Sequence, residues 1–345
     1  MDNCHRFTTI ILRWFEQYGR ELPWRNADLP CEKHAYVVWL SEIILQQTRI
    51  EQGRGYWERF VNRWPTVDAL AAATEDEVLR EWQGLGYYSR ARNLLFAARQ
   101  IVSLGHFPDT IEDLKKLKGV GDYTAAAIGS IVFALPVAVV DGNVYRVLAR
   151  YFGVDTPINS TEGKKYFAEL AQTLLPVNKP SAFNQAMMDF GAIQCTPQSP
   201  HCMDCPLTDS CVALLTDKVR ILPVKNKTVK VWTRHFNYIY VRCKGQTAIH
   251  RRPAGDIWQG LWEPVLIEDS IPADLGCAVL RKNVRHVLTH RIIVADFYLL
   301  EVNDKSELHP VVANLLEEKD FLWINEGDID GYGVPRLVEM LLESL

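Results

Sequence analysis

The chain has 345 residues, 48% of them hydrophobic and 23% charged, an ordinary folded-protein composition at a length that suggests about two domains. Wholesale disorder, collagen-like repeats and a disulfide-stapled miniprotein are excluded. The formal net charge of −4 gives no global attraction for nucleic acid, so local motifs must identify any partner.

From Arg6 to Leu215 helical spacing dominates, beginning with Phe7, Ile10, Ile11, Trp14, Phe15 and Tyr18, and predicts an all-α region. The N-terminal stretch lacks a basic segment followed by a clean apolar run and a cleavage site, so no export signal is expected and the location is read as cytoplasmic. Within SEIILQQTR, Glu42 sits among Val38, Trp39, Ile43 and Leu45. A carboxyl buried there would be held protonated and suited to general acid work; the alternative is a solvated strip with Ser41, Gln46 and Arg49.

Next, WQGLGYYSRARNL places Gly84, Leu85 and Gly86 before Tyr87, Tyr88, Arg90 and Arg92. That is aromatic and basic interleaving of the kind that suits nucleic acid, or equally a tyrosine-capped helix end. In LKKLKGVGDYTAAAIGSIVFAL, the turn Gly119-Val120-Gly121 lies between two helical stretches, behind Lys115, Lys116 and Lys118, where amides at a helix start can hold a phosphate. The apolar run from Ala125 to Val140 is broken by Gly129, Ser130 and Pro136 and is short for a bilayer, so it reads as core and no membrane is expected. Asp141 then opens DGNVYRVLAR as a helix cap, a position that also keeps a carboxylate fixed and ionised beside a developing cation.

Cys195, Cys202, Cys205 and Cys211 are spaced C-x6-C-x2-C-x5-C. Four such thiolates suit tetrahedral zinc or an iron–sulfur cluster, and spacing alone does not choose. Residues 218–231 carry no acidic residue and read as a basic linker. Beyond it, HFNYIYVRCKGQTAIHRRP and RIIVADFYLLEV alternate as strands and VPRLVEMLLESL returns to helical spacing, so an α+β domain is expected. Residues 1–230 hold 26 basic and 25 acidic side chains, whereas 231–345 hold 12 and 17; a polyanion should prefer the first part.

Taken together, LPWR at 22–25, SEIILQQTR at 41–49, GLGYYSRARNL at 84–94, KGVGDYTAAAI at 118–128, VDGNVYRVLAR at 140–150 and the cysteine loop resemble the helix-hairpin-helix DNA glycosylases with an iron–sulfur cluster. The resemblance is greatest to adenine DNA glycosylases of the MutY type. It implies an all-α glycosylase domain over 1–216 with a [4Fe-4S] loop at 195–211, a basic linker at 217–232, and a Nudix-like α+β domain over 233–345. HRRPAGDIWQGLWEPV at 250–265 looks like that family's Nudix-like segment, without the glutamates of a Nudix hydrolase.

The resemblance further implies base excision repair by a monomer on duplex DNA carrying adenine opposite 8-oxoguanine or guanine. Glu42 would be the acid and Asp141 the stabiliser of the sugar cation, assisted by Tyr123 and Asn143. Arg25, Gln47, Thr48, Leu85 and Tyr87 would meet DNA. Gly119, Val120 and Gly121 would hold phosphate, with a monovalent cation. Leu288, Thr289 and His290 would read the lesion, with leucine standing where the family has an aromatic residue. The competing expectation is an endonuclease III-like glycosylase-lyase on oxidised pyrimidines, whose lysine nucleophile would stand where this chain has Tyr123.

Overall fold

The computed structural model describes residues 3–226, 231–268 and 270–345. Part of the expected basic linker, residues 227–230, lies outside the described residues. Regular elements up to Leu215 are all helical. In α1 (Asn3–Tyr18) the positions Phe7, Ile11 and Trp14 recur every three to four residues and are buried. In α2 (Cys31–Ile44) burial runs from His34 to Ser41 and includes Ile43 and Ile44, as expected of a helix that is apolar nearly all round.

The helices α3 (Ile50–Arg63), α4 (Val67–Ala71), α5 (Glu75–Glu81) and α6 (Ser89–Leu104) follow. The start of α5 is fixed by a capping box between Thr74 and Glu77. Between α7 (Ile111–Leu114) and α8 (Asp122–Val132) the chain turns at Gly119, whose φ of +80° is left-handed backbone that glycine adopts freely. Then come α9 (Gly142–Phe152), α10 (Thr161–Leu174), α11 (Pro180–Asp189) and the short α12 (Val212–Leu215).

The described chain forms two units. One contains residues 3–71 and 96–226, the other residues 72–95 and 231–345. In the first, α2 packs on α8, and α11 packs on α1, α8 and α9. One core cluster joins Phe7, Ile11 and Trp14 of α1 to Val147, Leu148 and Tyr151 of α9 and Phe183 of α11, with Cys195, Cys205 and Cys211 at its edge.

The second unit is built on a mixed sheet. Its strands are β1 (Trp232–Cys243), β2 (Gln246–Arg251), β3 (Trp262–Glu263), β4 (Val265–Ile267), β5 (Ala278–Val287), β6 (Arg291–Val302) and β7 (Leu322–Asn325). β1 runs parallel to β6 from Trp232↔Arg291 to Cys243↔Val302 and antiparallel to β2 and β4. β5 pairs antiparallel with β6 at the edge, and β3 and β7 pair with β2.

Alternation along β1 sends Phe236 and Tyr238 to one face, packed with Leu337 and Leu341 of α14 (Arg336–Leu342). Ile239 and Val241 go to the other face, packed with Val312 of α13 (Pro310–Glu318). Beneath the loop between β2 and β3, the buried Glu263 accepts hydrogen bonds from Tyr238 Oη at 2.9 Å and Arg252 Nη1 at 2.5 Å. Among the described residues no helix is long and apolar enough to cross a membrane.

Candidate active site and iron–sulfur loop

Glu42 lies in the last turn of α2, where the carbonyl end of the helix already opposes negative charge. Its Oε2 accepts a hydrogen bond of 2.8 Å from the Tyr123 hydroxyl, which stands at the second position of α8. Burial pushes the Glu42 carboxyl up to about 7; the Tyr123 bond opposes that rise, the nearby Asp141 charge adds to it and Arg25 opposes it. The same enclosure holds the Tyr123 hydroxyl well above its ordinary range. Glu42, Tyr123 and Asp141 are only half-buried as whole residues, so the group stays reachable from outside.

Asp141 caps α9. Its Oδ1 accepts from the Asn143 and Val144 amides at 2.9 and 2.8 Å, and its Oδ2 accepts from Asn143 Nδ2 at 2.7 Å. Burial raises its pKa while those three bonds and Arg146 pull it down. The helix start also favours the ionised form. Two carboxyls thus occupy opposed settings, Glu42 at a helix end that retains a proton and Asp141 at a helix start that favours charge, an arrangement that separates acid from base.

The extended approach to Asp141 is held by two side-chain amides that the sequence did not advertise. Gln172 donates to the Pro136 carbonyl and accepts from the Ala138 amide, both at 2.9 Å. The buried Asn184 donates to the Val137 carbonyl at 2.8 Å and to Ser130 Oγ at 2.9 Å, and accepts from the Val139 amide at 3.0 Å. Their only sequence signal is a polar residue among apolar helix positions, which is also the signal of a solvated face.

Arg25 is engaged inward. Its guanidinium makes two bonds of 2.8 Å to the fully buried Asp189, which also receives the Arg20 amide at 2.9 Å and Arg20 Nη2 at 2.5 Å. These cationic partners hold the Asp189 carboxyl below its ordinary range against the effect of burial. Gln47 and Thr48 follow α2, Gln47 exposed with a left-handed φ of 57°. Gly119 and Gly121 are exposed, and a Cβ on Gly121 would meet nothing within 4 Å, while Val120 turns inward as part of the core.

The four cysteines line one cavity together with Arg150, Tyr151, His201 and Leu207. Among the described residues no three His, Cys, Asp or Glu side chains converge closely enough to hold a single ion. Four cysteine sulfurs around one cavity are the donor set of an iron–sulfur cluster. Burial pushes the Cys205 thiol up to about 12 and raises Cys202 and Cys211 in the same sense; thiolates there need a neighbouring metal charge.

The loop is tied to α9. Arg150 Nη1 lies 3.4 Å from Cys195 Sγ and 2.8 Å from the Thr196 carbonyl, and Arg146 donates to the Cys195 carbonyl at 2.7 Å. Arg146 also donates to Asn143 Oδ1 at 2.8 Å and to the Gly191 carbonyl at 2.6 Å. A hydrogen-bonded path therefore runs from the cysteine loop through Arg146 and Asn143 to Asp141. Its sequence signal is a pair of arginines four apart on a helix whose neighbouring positions are buried.

In the second unit, Gly84 and Gly86 have left-handed backbone, as does Tyr87 at φ 48°. Leu85 is buried, whereas Tyr87 is exposed and its hydroxyl lies 2.5 Å from Thr289 Oγ1. Thr289 and His290 form the exposed tip of the β5–β6 hairpin, closed by a 2.8 Å bond from the Leu288 amide to the Arg291 carbonyl. Leu288 turns back against the core cluster around Phe236.

Residues 40–174 match the HhH-GPD superfamily of base excision DNA repair proteins, residues 195–211 the iron–sulfur binding domain of endonuclease III, and residues 237–344 the NUDIX domain. The chain is thus a helix-hairpin-helix repair protein with an iron–sulfur motif and a Nudix-like second domain. It is 34% identical over 260 residues to an adenine DNA glycosylase of Buchnera aphidicola subsp. Baizongia pistaciae, covering 74% of this chain and 72% of that one. On that match, the chain belongs to the adenine DNA glycosylase family.

The adenine DNA glycosylase of Mus musculus is 44% identical over 213 residues, covering 60% of this chain but 41% of the mouse protein; the match spans about two fifths of that relative's length. A solved thermostable thymine-DNA glycosylase superposes with a TM-score of 0.56 at 30% identity, over 62% of this chain and 97% of that one.

Proposed function

We propose that this protein removes adenine from duplex DNA in which it lies opposite 8-oxoguanine or guanine, leaving an abasic site. The observation that carries the reading is the Tyr123–Glu42 hydrogen bond beside the capped Asp141: an acid poised near neutrality next to a carboxylate fixed for charge. Adenine must leave the stack to reach such a site, and a mispaired base costs least to extrude. Glu42 gives its proton to adenine N7. The N9–C1′ bond then breaks with its electron pair going to adenine, and Asp141 stabilises the oxocarbenium-like sugar until water adds at C1′ and gives up a proton that restores the Glu42 acid. Asn143 and Tyr123 hold the two carboxyls in place.

Gln47, Thr48, Leu85 and Tyr87 are assigned to the duplex, Gly119 to Gly121 to phosphate with a monovalent cation, and Thr289 and His290 to the lesion strand, with Leu288 packed against the core behind them. Arg25 acts from its place on Asp189, its charge opposing the rise at Glu42. Cys195, Cys202, Cys205 and Cys211 would hold a [4Fe-4S] cluster, which when bound supplies a charged anchor that ties the loop to α9.

The test incubates the protein with duplexes bearing adenine opposite 8-oxoguanine, guanine or thymine, or an oxidised pyrimidine opposite guanine, and reads free base and strand scission separately. Adenine release from the first two, with breakage only after alkali, is the expected result. Release of the oxidised pyrimidine with immediate scission, and none of adenine, would overturn it.

A further inference from the structure

Of the ten tryptophans in the chain, Trp232 alone is exposed among the described residues, with 68% of its surface open. The others are buried or half-buried. Its place is not a remote loop. The Trp232 amide donates to the His290 carbonyl at 3.1 Å, and Trp232 is the register partner of Arg291 in the parallel β1–β6 ladder. The Thr289–His290 tip is therefore tied to two exposed aromatic residues, Tyr87 through its hydroxyl and Trp232 through its backbone. Leu288, the one apolar residue of the tip itself, is occupied with the core.

The charge nearby fits the same partner. β5, which leads into the tip, carries Arg281, Lys282 and Arg285 and no acidic residue, although residues 231–345 as a whole hold more acidic than basic side chains. All three cations are exposed, and none forms an ion pair among the described residues. β5 is an edge strand with breaks in register at Val279/Arg281 and Arg281/Val284, which turn its side chains away from simple pairing. Arg285 pairs with Val294 and Arg281 with Phe297, three and six positions along β6 from Arg291, the register partner of Trp232. An exposed indole and a row of unpaired cations thus share one sheet, a composition that stacks on a nucleobase while phosphates further along the strand are neutralised.

We propose that Trp232 is a DNA-stacking residue of the second unit, lying against a base next to the lesion, with Arg281, Lys282 and Arg285 taking phosphates of the same strand. The assignment rests on the DNA reading above. Trp232 acts on binding and not on bond cleavage.

The experiment uses the full chain and labelled duplexes with an 8-oxoguanine·adenine pair or none, read by fluorescence anisotropy at fixed salt. Trp232→Ala should weaken binding of the lesion duplex about tenfold, the usual loss for one stacked base, and Trp232→Phe should stay within about threefold of the parent. Single-turnover adenine release at limiting protein should fall in Trp232→Ala in step with the lost affinity and stay within about threefold of the parent in Trp232→Phe. Equal affinity of Trp232→Ala and the parent overturns the proposal, as does an equal loss in Trp232→Phe. If the parent binds DNA but releases no adenine, the glycosylase reading fails, and the parent-to-alanine affinity ratio on the undamaged duplex still decides the role of Trp232.

Discussion

Replacing Glu42 by glutamine should stabilise the folded protein, and by more as pH rises. Glu42 titrates near 7 when folded against an ordinary 4.5, and at about 1.36 kcal/mol per pH unit the gap is worth up to about 3 kcal/mol. The sign follows from proton binding. A folded-state pKa above the unfolded value makes the folded chain hold the extra proton, so the group's contribution is full below pH 4.5 and is lost as pH rises through 7. Between pH 5.5 and 8.5 the parent should therefore lose about 2 kcal/mol more than the variant.

Glutamine keeps the shape and an acceptor for the Tyr123 hydroxyl, so packing changes largely cancel between the two pH values. Urea unfolding of parent and variant at both pH values measures the difference directly. A stability difference that does not change with pH would refute the claim that Glu42 is held protonated by burial.

Further consequences concern activity. Adenine release by the parent should fall as pH rises through about 7, where Glu42 loses its proton; Tyr123→Phe, by removing a bond that favours the ionised form, should move that alkaline limb upward in a single-turnover pH profile. Gly191→Ala would put a Cβ 2.6 Å from Asn143 Cβ and 2.9 Å from its carbonyl oxygen, so release should drop by about tenfold or more with DNA affinity retained. Asp189→Asn leaves two guanidinium groups short of a buried partner and should cost about 3 kcal/mol of unfolding free energy. Removing iron by chelation should lower the melting temperature of the protein, and a melting curve unchanged by iron loss would contradict a cluster held at Cys195 to Cys211.

The helical character of the first two thirds was legible from apolar residues recurring at helical spacing, and the strands HFNYIYVRC and RIIVADFYLLEV from short runs of aromatic and β-branched residues that pack on both faces of the sheet. β5 was not, since an exposed edge strand with two register breaks has no alternation to read. Within residues 72–95 the helical spacing matches α5 and the start of α6, on either side of the Gly84–Gly86 turn, but amphipathic spacing says only that a face is buried and not against which unit it packs. At the site, the sequence left Glu42 open between a buried acid and a solvated strip. Tyr123, eighty-one positions away in the chain, decides that question through a contact no local pattern encodes. Asp141 was readable as a cap because capping is local. Arg25 was assigned to DNA through the resemblance, and only the fold reveals Asp189 beneath it.

The most direct test of the account is single-turnover release of free adenine from a duplex with one 8-oxoguanine·adenine pair, comparing parent, Glu42→Gln and Asp141→Asn at pH 6.5. The account predicts release by the parent and a loss of at least about a hundredfold in each variant, with duplex binding retained. Release by the parent that survives Glu42→Gln would contradict it, as would a folded, iron-loaded parent that releases no adenine.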